Sequence, residues 1–261
     1  LGMFTGLVVG VLLLLISVFM IFQTTCKVWG AEKPANATQQ GIDVSSHQGK
    51  IDWEQVKNSA LADYAIIRCG YGVNQTDKDD KYWDYNSSEC ERLGIPYGTY
   101  LYSGADTTAK AKSEAEHVVR LLQGKNLTYP IYYDMEADML NQLSSTQIGN
   151  IAKTFLNTME SYGYKNVAVY SNKYLFETKL TASVFSDYPK WIAQHSNKCT
   201  YQGSYHMWQY STQGVIPGIS EKVDLNYKIG NWTYAGYSSA KKTVVVKPKA
   251  TTIKSLRKSG K

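Results

Sequence analysis

Eight strand-like runs, helical patterns in the first five gaps between them, and polar residues gathered at the C-terminal ends of those runs predict the fold class. It is α/β: an irregular, TIM-like eight-stranded (β/α) barrel, with helices after the first five strands and few or none after the last three. Alternation of strand and helix predicts a parallel sheet, and eight strands predict its closure.

The elements follow in order along the chain. Gly41–Ser45 is the first strand. Trp53–Ala60 places Trp53, Val56 and Lys57 at helical spacing, with Asp52 as cap. Tyr64–Gly70 is the second strand, and the helix Trp83–Leu93 after it stops at Gly94. Tyr97–Ser103 is the third. Thr108–Leu122 then sets Ala111, Ala115, Val118, Val119 and Leu122 on one stripe, ahead of Gly124. The fourth strand, Tyr129–Glu136, is rich in β-branched and aromatic residues. Thr146–Tyr162 repeats the helical stripe with Ile148, Ile151, Phe155, Leu156 and Met159, ahead of Gly163. Asn166–Ser171 and a shorter helix, Asn172–Leu180, complete the fifth unit. Pro189–His195, His206–Ser211 and Val223–Tyr227 are the last three strands.

Three segments are expected: residues 1–37 as hydrophobic leader or membrane anchor plus short linker, 38–233 as the barrel, and 234–261 as a basic Ser/Thr/Lys-rich linker toward a further module. Leu7 to Phe22 carries no charge. At ~1.5 Å per residue it is short for a ~30 Å hydrocarbon core. A signal peptide cut near Gly30 or Ala35–Ala37 and an uncleaved anchor through residues 7–22 are both open. Either puts the barrel outside the cytoplasm, secreted or tethered at the cell surface.

The net charge of +6 misrepresents the barrel. Residues 238–261 hold eight Lys or Arg and no acid, and without them 20 basic face 22 acidic residues. No nucleic acid partner is expected of a slightly acidic domain. The basic tail suits anionic cell-wall polymers, or serves only as a soluble linker. The 21 tyrosines offer flat faces with a polar handle, which suit carbohydrate but also fill cores. Cys26 lies in the leader; Cys69, Cys90 and Cys199 read as free thiols, with a Cys69–Cys90 bridge as the alternative. No CxxC and no close histidine pair is present, so neither metal nor cofactor is expected.

The fourth strand carries the chemistry. It ends in Asp134 and Glu136, spaced i, i+2. Alternation aims both acids the same way, roughly 6–7 Å apart at ~3.3 Å per residue. Glycoside hydrolysis needs such a pair, one protonated and one ionised. A solvated strand end is the alternative for an isolated pair. Other polar residues, however, recur at the same end of the strands: Asp43, Arg68, Tyr100 and Tyr102, Tyr170, Gln194, Gln209, then Asp224 and Asn226. Barrel active sites lie at that end.

The segments Gly41-Ile42-Asp43-Val44-Ser45 with Gln48-Gly49, Tyr133-Asp134-Met135-Glu136, Trp191-Ile192-Ala193-Gln194, Trp208-Gln209-Tyr210-Ser211 and Val223-Asp224-Leu225-Asn226 occur in order, each on an expected strand. From about Gly41 to Trp232 the chain thereby resembles the family-25 glycoside hydrolases, the bacterial and phage-type lysozymes (N-acetylmuramidases). The resemblance implies an irregular barrel and cleavage of the β-1,4 bond between N-acetylmuramic acid and N-acetylglucosamine in peptidoglycan glycan chains. The family's catalytic acid falls on Glu136, its second carboxylate on Asp134, and its supporting acids on Asp43 and Asp224. It also suggests that the substrate's 2-acetamido oxygen attacks while Asp134 orients it; direct attack by Asp134 is the rival.

Tyr71, Tyr100, Tyr102, Trp191 and Trp208 are candidates to stack on sugar rings, with core packing as the alternative for each. Tyr170, Gln194 and Gln209 are candidates for polar contacts to the substrate. Arg68 reads first as a structural salt bridge. A monomer is expected. Two other functions stay open: a barrel that binds wall glycan without cutting it, and a hydrolase of another N-acetylhexosamine polysaccharide.

Overall fold

The computed structural model describes residues 31–232. The expected leader up to residue 30, with Cys26, and the tail from residue 233 lie outside the described residues. Among the described residues no helix is long and apolar enough to cross a membrane.

Eight strands close a barrel in chain order: β1 (Ala37–Val44), β2 (Tyr64–Tyr71), β3 (Tyr97–Tyr102), β4 (Ile131–Asp134), β5 (Val167–Asn172), β6 (Lys190–Ala193), β7 (Met207–Gly214) and β8 (Val223–Ile229). The helices are α1 (Trp53–Ser59), α2 (Trp83–Leu93), α3 (Thr108–Leu121), α4 (Ser145–Ser161), α5 (Lys173–Thr178) and a single turn, α6 (Val184–Asp187). All fall in the first five gaps, as the periodicity predicts. Their ends follow local chemistry. The Asp52 side chain accepts from Gln55 N at the start of α1 (3.1 Å). Gly94 takes φ 64° after α2, and its N–H closes on Cys90 and Glu91 carbonyls. Periodicity alone did not signal α6 or the 3₁₀ turns Ser46–Gln48, Thr76–Lys78 and Asp138–Gln142.

The expectation of a parallel sheet needs one correction. β1 to β7 pair in parallel, but β8 runs antiparallel to both β7 and β1. The cause is the connection. Only residues 215–222 join β7 to β8, whereas a parallel crossover takes about a dozen residues or more. The chain therefore turns back, and β8 begins at the rim where the other strands end.

Strand alternation divides the interior in two. Consecutive residues of β4 show it. The Tyr133 ring stacks on Phe155 of α4 (3.8 Å between centroids), whereas the Tyr132 ring meets Trp191 edge-on inside the barrel (4.9 Å). The outer layer is a large aliphatic core that includes Ile42, Val44, Ile67, Leu101, Val118, Ile148, Phe155 and Ile192. The lumen is a separate, aromatic cluster of Tyr64, Ile66, Tyr129, Tyr132, Ala168, Tyr170, Trp191, Ala193 and Met207, with Tyr100 against it. Gly41 makes room there: a Cβ would lie 2.4 Å from the Tyr64 ring.

Candidate active site

The lumen cluster is a floor, and carboxylates stand on it. Asp43 near the end of β1 and Asp134 at the end of β4 are 6% and 3% exposed. Asp224, at the start of β8, pairs in register with Asp43 because β8 is reversed. A parallel β8 would carry it to the far end. Glu136 lies two residues past β4 and is half-buried. The ladder continues just beyond the strand, since Met135 N donates to Tyr170 O (2.9 Å) and Ser171 Oγ to Met135 O (2.5 Å). Met135 thus faces the outer core, and its flanking acids keep their common side.

A hydrogen-bond web organises one half of the site. Asp43 Oδ2 accepts from Asn226 Nδ2 (2.8 Å) and Gln209 Nε2 (2.9 Å), and Gln209 Nε2 also approaches Asp224 Oδ2 at 3.3 Å. The Trp191 indole donates to Asn226 Oδ1 (2.8 Å), and the Tyr170 hydroxyl donates to Gln209 Oε1 (3.0 Å). Asp134 stands apart from this web. Its buried Oδ1 has no hydrogen-bond partner among the described residues.

Burial dominates the electrostatics. It pushes the Asp134 carboxyl well above its usual range; Glu136 and Asp43 push the same way, and Arg68 opposes them. Asp43 is raised well above the usual range by burial and then by Asp224. Asp224 is pushed up to about 6, again first by burial, with its hydrogen bond to Asp43 in opposition. Glu136 is raised by burial and by Asp43, partly offset by His195 and the Tyr170 hydroxyl. The elevated Glu136 suits an acid that must hold its proton near neutral pH. Asp134 Oδ1 meets no donor that would favour its ionised form.

The expected substrate contacts separate into two groups. Tyr100, Tyr102 and Tyr170 reach the acids: each hydroxyl is raised first by burial and then by nearby carboxylates, Asp134 among them. Tyr71 is an exposed rim residue, with the Lys78 ammonium 4.8 Å over its ring. Trp191 is 1% exposed and lies beneath the acids against Tyr100, Tyr132 and Tyr170, so it is floor and not a stacking platform. Trp208 does not reach the site at all. It faces the outer core beside Tyr210 and Tyr227, and its indole donates to Gln194 O (2.8 Å). The Gln194 side chain is spent on Thr200. Gln209 does reach the site, but as a partner of the acids. Arg68 forms the salt bridge expected of it, with Asp80 (2.8 Å), and also donates to Ser46 Oγ. Asn226, expected at this rim, holds Asp43, whereas His195 was not among the expected site residues although it lies just past a strand placed there. Cys69, Cys90 and Cys199 are free, the first two buried.

A buried acid cluster on the C-terminal rim of a closed barrel, with every carboxyl raised by burial and one carboxylate oxygen left without a donor, has the features of a glycosidase site. The sequence profile of the Glycosyl hydrolases family 25 matches residues 42–219, so the chain belongs to that family and its barrel is a glycoside hydrolase. The autolytic lysozyme of Clostridium acetobutylicum is 30% identical over 188 residues, 72% of this chain and 55% of that protein. The modular autolysin LytC of Streptococcus pneumoniae, whose structure is also known with a synthetic peptidoglycan ligand, is 33% identical with a TM-score of 0.66. That match covers 72% of this chain and 46% of LytC, so the chain spans less than half of that relative. A family 25 glycosyl hydrolase from Bacillus anthracis shares the fold, with a TM-score of 0.67 at 20% identity over 78% of this chain and 95% of that one.

Proposed function

We propose that the barrel hydrolyses the β-1,4 bond between N-acetylmuramic acid and N-acetylglucosamine in peptidoglycan. The observation that carries this reading is the buried, unpaired Oδ1 of Asp134 beside the desolvated Glu136. A buried carboxylate oxygen without a donor is costly. An N-acetyl sugar brings the missing donor, its amide N–H. That hydrogen bond would hold Asp134 ionised only when substrate is bound, and would turn the acetamido carbonyl oxygen toward the anomeric carbon.

The carbonyl oxygen then forms a bond to the anomeric carbon as the glycosidic C–O bond breaks. Glu136 gives its proton to the leaving oxygen. Asp134 opposes the positive charge that develops on the acetamido group. In the second step Glu136, now a carboxylate, takes a proton from the water that attacks the anomeric carbon, and the acetamido group is released. Asp43 and Asp224, between Gln209 and Asn226, form the wall that keeps Glu136 protonated. The lysozyme and autolysin relatives support a wall substrate, and that substrate puts the enzyme outside the cytoplasm. The basic residues 238–261 would then meet anionic wall polymers.

Digestion of purified peptidoglycan, followed by identification of the new reducing ends, tests the reading. Muramic acid ends are expected. Glucosamine ends would make the enzyme a glucosaminidase, and no new ends would leave a glycan-binding barrel.

A further inference from the structure

His195 follows β6 by two residues, on a backbone pinned on three sides. Gln194 N donates to Gln209 O (3.1 Å), Gln194 O accepts the Trp208 indole (2.8 Å), and the Gln194 side chain is tied to Thr200 at 2.8 and 3.0 Å. So anchored, the imidazole reaches the site, with Nε2 3.0 Å from Gln209 Oε1. An amide oxygen only accepts, so Nε2 must carry a proton. The Tyr170 hydroxyl occupies the second lone pair of the same oxygen, also at 3.0 Å. With its oxygen held by two donors, Gln209 can present only N–H groups to Asp43 and Asp224. A flipped amide would aim its oxygen at two carboxylates and its N–H groups at two donors.

Asn226 is oriented from the other side in the same manner, by the buried Trp191 indole. The acid pair therefore sits between two amides, each fixed by ring donors. We propose that His195 is a positioning residue that locks the Gln209 amide and, through it, sets the protonation of the Asp43–Asp224 pair. The inference deepens the glycosidase reading of this site and rests on it. The other titratable groups around the pair are Glu136 and Asp134 past and at the end of β4, Tyr100 on β3, Tyr170 on β5 and Arg68 on β2. Hydrogen bonds from Gln209 and Asn226 favour the ionised Asp43. Loosening Gln209 should then let the pair take up its proton at higher pH.

The test is a carboxyl ¹³C NMR titration of the full chain with two variants. His195→Phe removes the donor, and His195→Gln keeps a donor nitrogen near Nε2 on a side chain that cannot ionise. In His195→Phe the pair's titration should rise by about half a unit or more above the parent's. In His195→Gln it should return toward the parent value. Turnover of soluble glycan should fall about tenfold in His195→Phe with little change in KM, the loss expected for one hydrogen bond to a site group. Its acid limb should move toward neutral pH. In a Gln209→Leu background, His195→Phe should add no further shift, because the route runs through Gln209. If His195→Gln titrates like His195→Phe, charge and not the donor is at work and the proposal fails. Additive shifts in the double variant overturn it equally. The titration needs no substrate, so it stands even if the parent enzyme releases no muramic acid ends.

Discussion

Glu114 and Asp134 are both buried carboxylates, at 0% and 3% exposure, on opposite faces of the same sheet. Glu114, on α3, faces outward-pointing Tyr133 of β4 and the two residues that follow β3. It accepts from Tyr133 Oη (2.7 Å), Ser103 Oγ (2.9 Å) and Gly104 N (2.8 Å). Asp134 follows Tyr133 directly in the chain, turns the other way, and finds no donor for Oδ1. Burial raises both carboxyls, but three hydrogen bonds relieve Glu114 whereas Asp134 has only the Arg68 charge to oppose its acidic neighbours. The outer acid has every need met by the fold and so belongs to its architecture. The inner one is left waiting, and a group left waiting at a cost is where a ligand is to be sought.

The sharpest contrast comes from the inner face. Glu136→Gln keeps the shape but has no proton to give, so glycan cleavage should fall by at least ~10²-fold with the unfolding temperature little changed. Near-parental turnover would remove Glu136 from the acid role. Asp134→Asn should also lose most activity, and its residual activity should have an alkaline limb moved toward acid. Once substrate ionises Asp134, its charge adds to that of Asp43 in holding the proton on Glu136, so without it Glu136 deprotonates at lower pH in the complex. An unmoved or alkaline-shifted limb would show that the two acids do not sense each other.

The same variant makes a stability statement of the opposite sign to the usual one. The folded carboxyl of Asp134 titrates above its unfolded value, so the wild-type protein loses stability as pH rises from the unfolded pKa through the folded one. Asparagine does not ionise. Asp134→Asn should therefore match the parent at low pH and exceed it at neutral pH, at ~1.4 kcal/mol per unit of displacement, in denaturant titrations at several pH values. The smallest expected effect on catalysis is at the outer acid. Glu114→Gln should cost about 1–3 kcal/mol of stability by facing an amide nitrogen toward donors, while the folded fraction keeps its turnover. If Glu114→Gln proved neutral to stability but harmful to catalysis, the division between the two faces would be wrong.

The sequence carried the fold well where periodicity carries physics. Alternating apolar and aromatic runs gave the strands, the stripe from Ile148 to Met159 gave α4, and Gly94 and Asp52 gave helix ends. Strand direction is different, because a period of two reads the same both ways. Only the shortness of residues 215–222 hinted that β8 turns back. At the site, Trp208 and Gln209 are adjacent and so must face opposite sides, and Trp191 and Gln194 are three apart and also differ in face. That alternation would have withdrawn Trp208 and Gln194 from the sugar contacts once Gln209 and Trp191 were put inside. The same alternation puts His195, four residues after Trp191 on the expected strand, on the inner side; what it does not give is the contact with Gln209, which depends on a backbone pinned by an indole on the outer side of the sheet.

The reversed last strand also bears on how the enzyme comes into being. Asp43 and its Asn226 partner are 183 residues apart in sequence, and Asp43 meets Asp224 only when β8 docks on β1. Contacts of such span are the slow ones to form. A chain still emerging in the N-to-C direction carries Glu136 and Asp134 long before it carries the strand that completes the acid cluster. Any fragment that ends before Val223 has an open sheet and half a site. The acid cluster is thus complete only once closure of the barrel brings β8 onto β1.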